Sequence, residues 1–395
     1  MVIPNEDGSS GKLYRAIRKE DAVYSLQEQD IRTTSETSNL SLSEEGIAGL
    51  RSASIRVIVS SLSGARLALT AYKNILKPLL ETLSIDMTVH ETNSKTSHCQ
   101  LIESSAFAPD VENIILIFGG DTMVYDVLNS LAKNPHLTSS HSITLSLVPC
   151  GTGNALATSL GITSIPIGIS KFFGISTSTP VDSKPLPVMK ITVHELENER
   201  IIWSTVVCSW GLHASLVADS DAPEMRREFG PKRFSVLPSM VFSSQVAAQR
   251  LLTPSPHVYH GAVRVYKTDH IADEHTYLLL SHVSHLEPTF LIAPRQSPLL
   301  PSLSLVEVGP MSGKDLMGIM MAVYDNAKHV HMEEVKFRAE VREAEFLVNE
   351  DEERWRRICV DGDIVIVPKG SRVNIRVCDG VTLEDGSALV IRCRC

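Results

Sequence analysis

The 395-residue chain has no run of 18 apolar residues, so nothing in it reads as a membrane-spanning helix, and its first residues lack the apolar core of a signal peptide. It also lacks a basic excess. Against 37 Lys and Arg stand 46 Asp and Glu, a formal charge of −9, which argues against nucleic-acid binding by counterion release across a broad basic face and leaves room only for local basic clusters. Its seven cysteines show no paired spacing, as expected of reduced thiols in an intracellular protein, and Cys393 and Cys395 alone are too few ligands for zinc. No GxGxxG follows a strand, and Gly309 to Asp315 misses the Walker loop in spacing and in its terminal hydroxyl.

What is present centres on Ile114 to Leu160. Ile114 to Phe118 are five β-favouring apolar residues in a row, the pattern of a parallel strand buried on both faces. They break into Gly119-Gly120-Asp121, after which Val124, Val127, Leu128 and Leu131 recur at helical spacing. A second alternating run, Ile143, Leu145 and Leu147, breaks into Pro149-Cys150-Gly151-Thr152-Gly153-Asn154 and another helix ending near Gly161. Strand, helix, strand, helix is a βαβ unit, so both glycine loops face one crevice at the same sheet edge. Backbone N–H groups without Cβ atoms in front of them, at a helix N-terminus, suit a phosphate. Asp121 is the odd residue there, because a carboxylate about 4 Å from a phosphate charge is repelled by roughly 4 kcal/mol at an effective dielectric near 20. Magnesium or a proton would offset it. The local pattern admits two readings: a general base or metal ligand, or an N-cap aspartate.

The paired motifs resemble the diacylglycerol kinase catalytic superfamily, which includes sphingosine and ceramide kinases. Its signature GGDGTxxEVxN is approximated by Gly119 to Asn129, and PxGTGNxxA is met in full by Pro149 to Ala157. One departure is Thr122, where the family has glycine; if that backbone takes a positive φ, threonine there costs about 1–2 kcal/mol and weakens nucleotide binding. Weaker matches follow. Ser60, Ser61, Ser63 and Gly64 stand at the family's NPxxG, keeping only the glycine and a hydroxyl-rich setting, and Thr92 with His98 resembles TxxxxHA. Ser209-Trp210-Gly211 leading to Asp219 and Asp221 is similar to the sphingosine kinase segment, as is the following run with Arg226, Arg227 and Arg233. Val360-Asp361-Gly362-Asp363 resembles VDGE, although Asp361-Gly362 is by itself a type I′ hairpin signal.

The resemblance implies an α/β nucleotide-binding domain with a parallel sheet followed by a mainly antiparallel β-sandwich. The expected boundaries are a largely disordered 1–53, a nucleotide domain at 54–184 and a β-rich lipid-kinase domain at 185–395, with Pro180, Pro185 and Pro187 marking the linker. A short helix around Leu13 to Leu26 is the one element expected within the tail. It implies transfer of the ATP γ-phosphoryl to a lipid hydroxyl with Mg2+, Asp121 acting as base. The nucleotide would be held by Ser60, Ser63, Gly64, Thr92, Gly119, Gly120, Gly151, Thr152, Gly153, Asn154, Arg226, Arg233, Asp361, Gly362 and Asp363. Asp219 or Asp221 would hold the protonated amine of a sphingoid base. Ceramide and diacylglycerol are the next choices; an NAD kinase-related enzyme and a noncatalytic kinase-like sensor are the rivals. The lipid would be reached at the cytosolic side of a membrane by a cytoplasmic, peripherally associated protein.

Overall fold

A computed structural model describes residues 1–4, 10–18, 24–32, 42–61, 63–175, 183–195, 198–220 and 255–395. The chain divides into two compact units, Met1–Leu186 with Gly380–Cys395, and Pro187–Asp379.

The first unit opens with β1 (Val2–Pro4), β2 (Ser10–Arg18) and β3 (Tyr24–Arg32), an antiparallel sheet in that order, followed by helix α1 (Glu44–Ser52). This corrects the expectation of disorder over 1–53, and of a helix around Leu13 to Leu26. Charges interrupt the apolar alternation of these strands. Their stability comes from elsewhere: Tyr14 and Tyr24 are buried in the unit's main core, and Asn74 Nδ2 donates to the Tyr24 carbonyl at 3.0 Å. No local window of sequence reveals such a distant partner.

The central sheet contains β4 (Ser54–Val59), β5 (Thr88–Glu91), β6 (Glu112–Gly119), β7 (Ser142–Pro149) and β8 (Ser183–Pro185). Its order is β5, β4, β6, β7, a C-terminal strand Ile391–Arg394, then β8. The pairs β4/β5, β4/β6 and β6/β7 are parallel. As the unbroken apolar run requires, Ile114 to Phe118 are at most 1 % exposed. The strands are connected by α2 (Ala68–Ala71), a π-helical turn (Tyr72–Leu76), α3 (Lys77–Thr82), α4 (Ser97–Ser104) and α5 (Asp121–Ala132), with α6 (Ala155–Ser159) and α7 (Ile165–Phe172) after β7. On α5 the predicted stripe Val124, Val127, Leu128 and Leu131 is buried.

Strand Ile391–Arg394 lies parallel to β7 and antiparallel to β8, so the last 16 residues rejoin the first unit. The expected second domain at 185–395 is corrected accordingly. Arg394 clamps the return, reaching Glu112 and the Phe172 carbonyl at 2.9 Å each.

The second unit has two six-stranded antiparallel sheets. One runs Glu199–Ser204, Val188–His194, Ser371–Cys378, Glu343–Val348, Tyr259–Val265, Asp269–His275. The other runs Val335–Val341, Leu303–Val308, Tyr277–Ser281, Val207–Gly211, Arg357–Val360, Asp363–Ile366. Trp210 joins their inner faces: it is fully buried, stacks on Phe346 of the first sheet with ring centroids 5.7 Å apart, and meets Tyr259 and His275 edge-on. Among the described residues α8 (Leu212–Ser220) and α9 (Gly313–Tyr324) belong here, the latter burying Leu316, Ile319, Met320 and Val323 as predicted.

Candidate active site

The loops after β4, β6 and β7 meet at the carboxyl edge of the parallel sheet, and their glycines decide how close they come. A Cβ on Gly151 would lie 2.5 Å from Gly120 Cα, and one on Gly120 would lie 2.9 Å from Gly151 Cα. Gly64, at φ +50°, brings in the third loop; its Cβ would meet the Cys150 carbonyl at 2.4 Å. Three backbones are therefore packed where side chains cannot fit. Hydrogen bonds hold the contact. Cys150 and Gly151 donate their N–H groups to the Gly119 carbonyl at 2.9 and 3.1 Å, and Gly151 N–H is shared with Asn154 Oδ1 at 2.9 Å. Asn154 takes the left-handed conformation (φ 49°, ψ 42°) that asparagine tolerates better than most residues, and its Nδ2 returns a bond to the Gly151 carbonyl. The N–H groups of Thr152 and Gly153 take no part in these loop-to-loop bonds. Gly119, Gly120, Asp121, Pro149, Asn154 and Ala157 line a small hollow beneath the junction.

Asp121 begins α5, yet its carboxylate caps α6: Oδ2 accepts from Ala155 N–H at 2.7 Å and Oδ1 from Leu156 N–H at 3.0 Å. The charge that threatened a phosphate is thus partly offset by two backbone donors, a partner that the sequence reading did not foresee. Burial raises the carboxyl's pKa above its ordinary value, against the opposing pull of the two N–H groups.

Thr122 is an exposed residue of α5, outside the positive-φ set, so its expected strain is absent. Ser60, Ser63 and Thr92 make internal hydrogen bonds. Their hydroxyls bond within the loop: Ser60 Oγ to Ser63 Oγ at 2.5 Å, Ser63 N–H to Ser60 Oγ at 3.1 Å, and Ser61 N–H to Thr92 Oγ1 at 3.0 Å. Lacking the proline that would stiffen NPxxG, this loop is shaped by its own hydroxyls. Behind it, buried His98 on α4 bonds Asp126 of α5 through Nε2 at 2.8 Å. Burial lowers the imidazole's pKa, but the bonds to Asp126 and Cys99 outweigh it and push it up to about 9.

The remaining expected residues lie in the second unit. Asp361 and Gly362 both have positive φ (49° and 90°) and join strands Arg357–Val360 and Asp363–Ile366 in a two-residue hairpin. Asp361 is buried and its carboxylate accepts from Ser204 Oγ at 2.5 Å and from the N–H groups of Thr205, Val206 and Val207 at 2.8 to 3.0 Å. It anchors a neighbouring turn. Gly362 and Asp363 are exposed at the hairpin. Asp219, expected to face an amine, is paired within the chain to Arg354 at 3.2 Å and Arg357 at 2.9 Å. Those arginines were not singled out from sequence, although Arg354, Arg356 and Arg357 form a basic run just before Val360-Asp361-Gly362. Asp221, Arg226, Arg227, Arg233 and Pro180 lie outside the described residues.

This architecture is that of the diacylglycerol kinase fold. A solved diacylglycerol kinase from Bacillus anthracis superposes with a TM-score of 0.54 at 15% identity, over 82% of this chain and 94% of that one. Residues 54–183 match the profile of the diacylglycerol kinase catalytic domain, and the chain is similar in sequence to curated sphingosine and sphingoid-base kinases. It is 23% identical to sphingosine kinase 1 of Arabidopsis thaliana over 202 residues (51% of this chain, 40% of the relative). It is 26% identical to sphingoid long-chain bases kinase 1 of the same plant over 182 residues (46% and 22%), and 23% identical to human sphingosine kinase 1 over 184 residues (46% of each). The matched region spans less than half the length of each of these relatives.

Proposed function

We propose that this chain is an ATP-dependent lipid kinase that transfers the γ-phosphoryl group to a lipid hydroxyl, with a sphingoid long-chain base as acceptor. The observation that carries the reading is the closure of Gly64, Gly120 and Gly151 on one another with Asp121 beside them. That arrangement presents backbone to a phosphate and a carboxylate to whatever attacks it. Each Asp121 oxygen accepts one N–H and keeps a second lone-pair direction, so the carboxylate can take the hydroxyl proton while remaining capped. Its raised pKa makes it a stronger base, and its fixed position supplies orientation.

The donor set fits magnesium. The hard carboxylate oxygen of Asp121 suits an ion that is held by one or two carboxylates, phosphate oxygens and waters, and the ion would contribute neutralisation of phosphate charge. Lipid specificity is supported by the Ser209-Trp210-Gly211 to Asp219 stretch and by relatives named for sphingosine and sphingoid bases. With Asp219 already paired, Asp221 is the carboxylate assigned to the amine. No helix among the described residues is long and apolar enough to cross a membrane. The lipid acceptor would be met at a membrane surface.

A second reading, a noncatalytic nucleotide or lipid sensor, is favoured by the capping duty of Asp121 and by the closed serine loop. Purified protein with labelled ATP, magnesium and separate sphingosine, ceramide, diacylglycerol and NAD tests both. Label in sphingosine supports the first reading, label in ceramide or diacylglycerol moves the acceptor, and nucleotide binding without any labelled product establishes the second.

A further inference from the structure

In the second unit, the 3-10 turn Glu353–Arg356 and the strand Arg357–Val360 set Arg354, Trp355 and Arg357 beside Asp219 of α8. Arg357 donates Nη1 to Asp219 Oδ1 at 2.9 Å, and Arg354 donates Nη2 to Oδ2 at 3.2 Å. Two guanidinium charges thus face one carboxylate. The other edge of Arg357 is unused: Nε and Nη2 are both buried, and neither bonds any group among the described residues. These two nitrogens lie on the same side of the planar guanidinium, the edge whose parallel N–H groups match two oxygens of one oxyanion. Charged donors buried without an acceptor are costly, and a partner supplied from solution removes that cost.

The surroundings are rigid. Trp355 gives its carbonyl to Trp210 Nε1 at 2.8 Å, its ring stacks on His257 at 4.1 Å, and the Arg354 guanidinium lies 4.6 Å over it. Glu350 braces the same cluster, accepting from His257 Nε2 at 3.0 Å and from His260 N–H at 2.7 Å. Arg357 is 15% exposed and Arg354 49%, so the cluster opens to water on the Arg354 side.

We infer that Arg357 and Arg354 form a binding site for a phosphate monoester, with Arg357 holding two oxygens through Nε and Nη2 and Arg354 adding the second positive charge. Two guanidinium groups suit a dianion better than a carboxylate, and Asp219 fixes both in place. The inference is independent of the proposed activity. The phosphate comes either from a soluble molecule or from a lipid headgroup.

Inorganic phosphate is titrated into the full chain by calorimetry, in parallel with co-sedimentation on phosphatidylcholine vesicles with and without phosphatidic acid. Arg357→Lys keeps a cation for Asp219 but loses the fork, and should weaken binding about tenfold to a hundredfold. Arg354→Gln, at a half-exposed position, should weaken it less, about threefold to tenfold. Asp219→Asn removes the competing carboxylate and should tighten binding, the opposite of what a purely structural ion pair predicts. Circular dichroism of each variant reports folding. Binding of free phosphate alone identifies a soluble source, and binding only to phosphatidic acid vesicles a lipid source. No phosphate binding on either arm, equal competition by acetate, or an unchanged affinity in folded Arg357→Lys overturns the proposal.

Discussion

Asp121→Asn tests two roles of one side chain. In the folded protein Oδ2 accepts from Ala155 N–H at 2.7 Å and Oδ1 from Leu156 N–H at 3.0 Å. An amide has the same shape but only one acceptor, so whichever way it turns, its NH2 faces a backbone N–H. The variant loses one bond to a charged acceptor and leaves one α6 donor unsatisfied, about 2–3 kcal/mol together. At about 2–4 °C per kcal/mol for a unit of this size, the first unit's melting temperature should fall by about 4–12 °C. Catalysis should fall further, by about 10²- to 10⁴-fold, because the amide cannot accept the hydroxyl proton. Thermal unfolding without nucleotide and transfer of label from ATP, well below the variant's melting temperature, read the effects separately. An unchanged melting temperature would refute the cap. A rate loss of tenfold or less would refute the base.

Thr122→Gly restores the family residue but places glycine in the first turn of α5, so stability should drop by about 0.5–1 kcal/mol with no gain in ATP affinity; tighter ATP binding would reinstate strain at Thr122. Gly151→Ala forces its Cβ to within 2.5 Å of Gly120 Cα, and parting the loops should cost about 1–3 kcal/mol and weaken nucleotide binding correspondingly, as titration with ATP would show. For His98 the folded pKa, about 9, lies above the ordinary 6.5, so its pair with Asp126 contributes fully below pH 6.5 and is lost as pH rises through 9. The contribution is about 2 kcal/mol after allowing for solvent at Asp126. Asp126→Asn should therefore be less stable than the parent at pH 6 and nearly equal at pH 10 by denaturant unfolding; a constant gap would contradict the assignment.

Local sequence determined the elements whose burial is written in a short window. Ile114 to Phe118 could only be a strand covered on both faces, Val124 to Leu131 carried the period of a one-sided helix, and two glycine loops after parallel strands had to share an edge. Asp361-Gly362 was legible as a hairpin because its backbone conformation belongs to the dipeptide. Partners distant in the chain were decided by tertiary structure alone. Tyr14 and Tyr24 are ordered by a core built mostly from later residues, and Ile391 to Arg394 find their place beside β7 only once that strand exists. The carboxylates show the same division most clearly. Their positions were visible as charges in motifs, but Asp121 spends its oxygens on Ala155 and Leu156, Asp219 on Arg354 and Arg357, and Asp361 on Ser204 to Val207. A hydrogen bond forms between groups that are close in space, and closeness between residues 34 to 157 positions apart is a property of the folded chain.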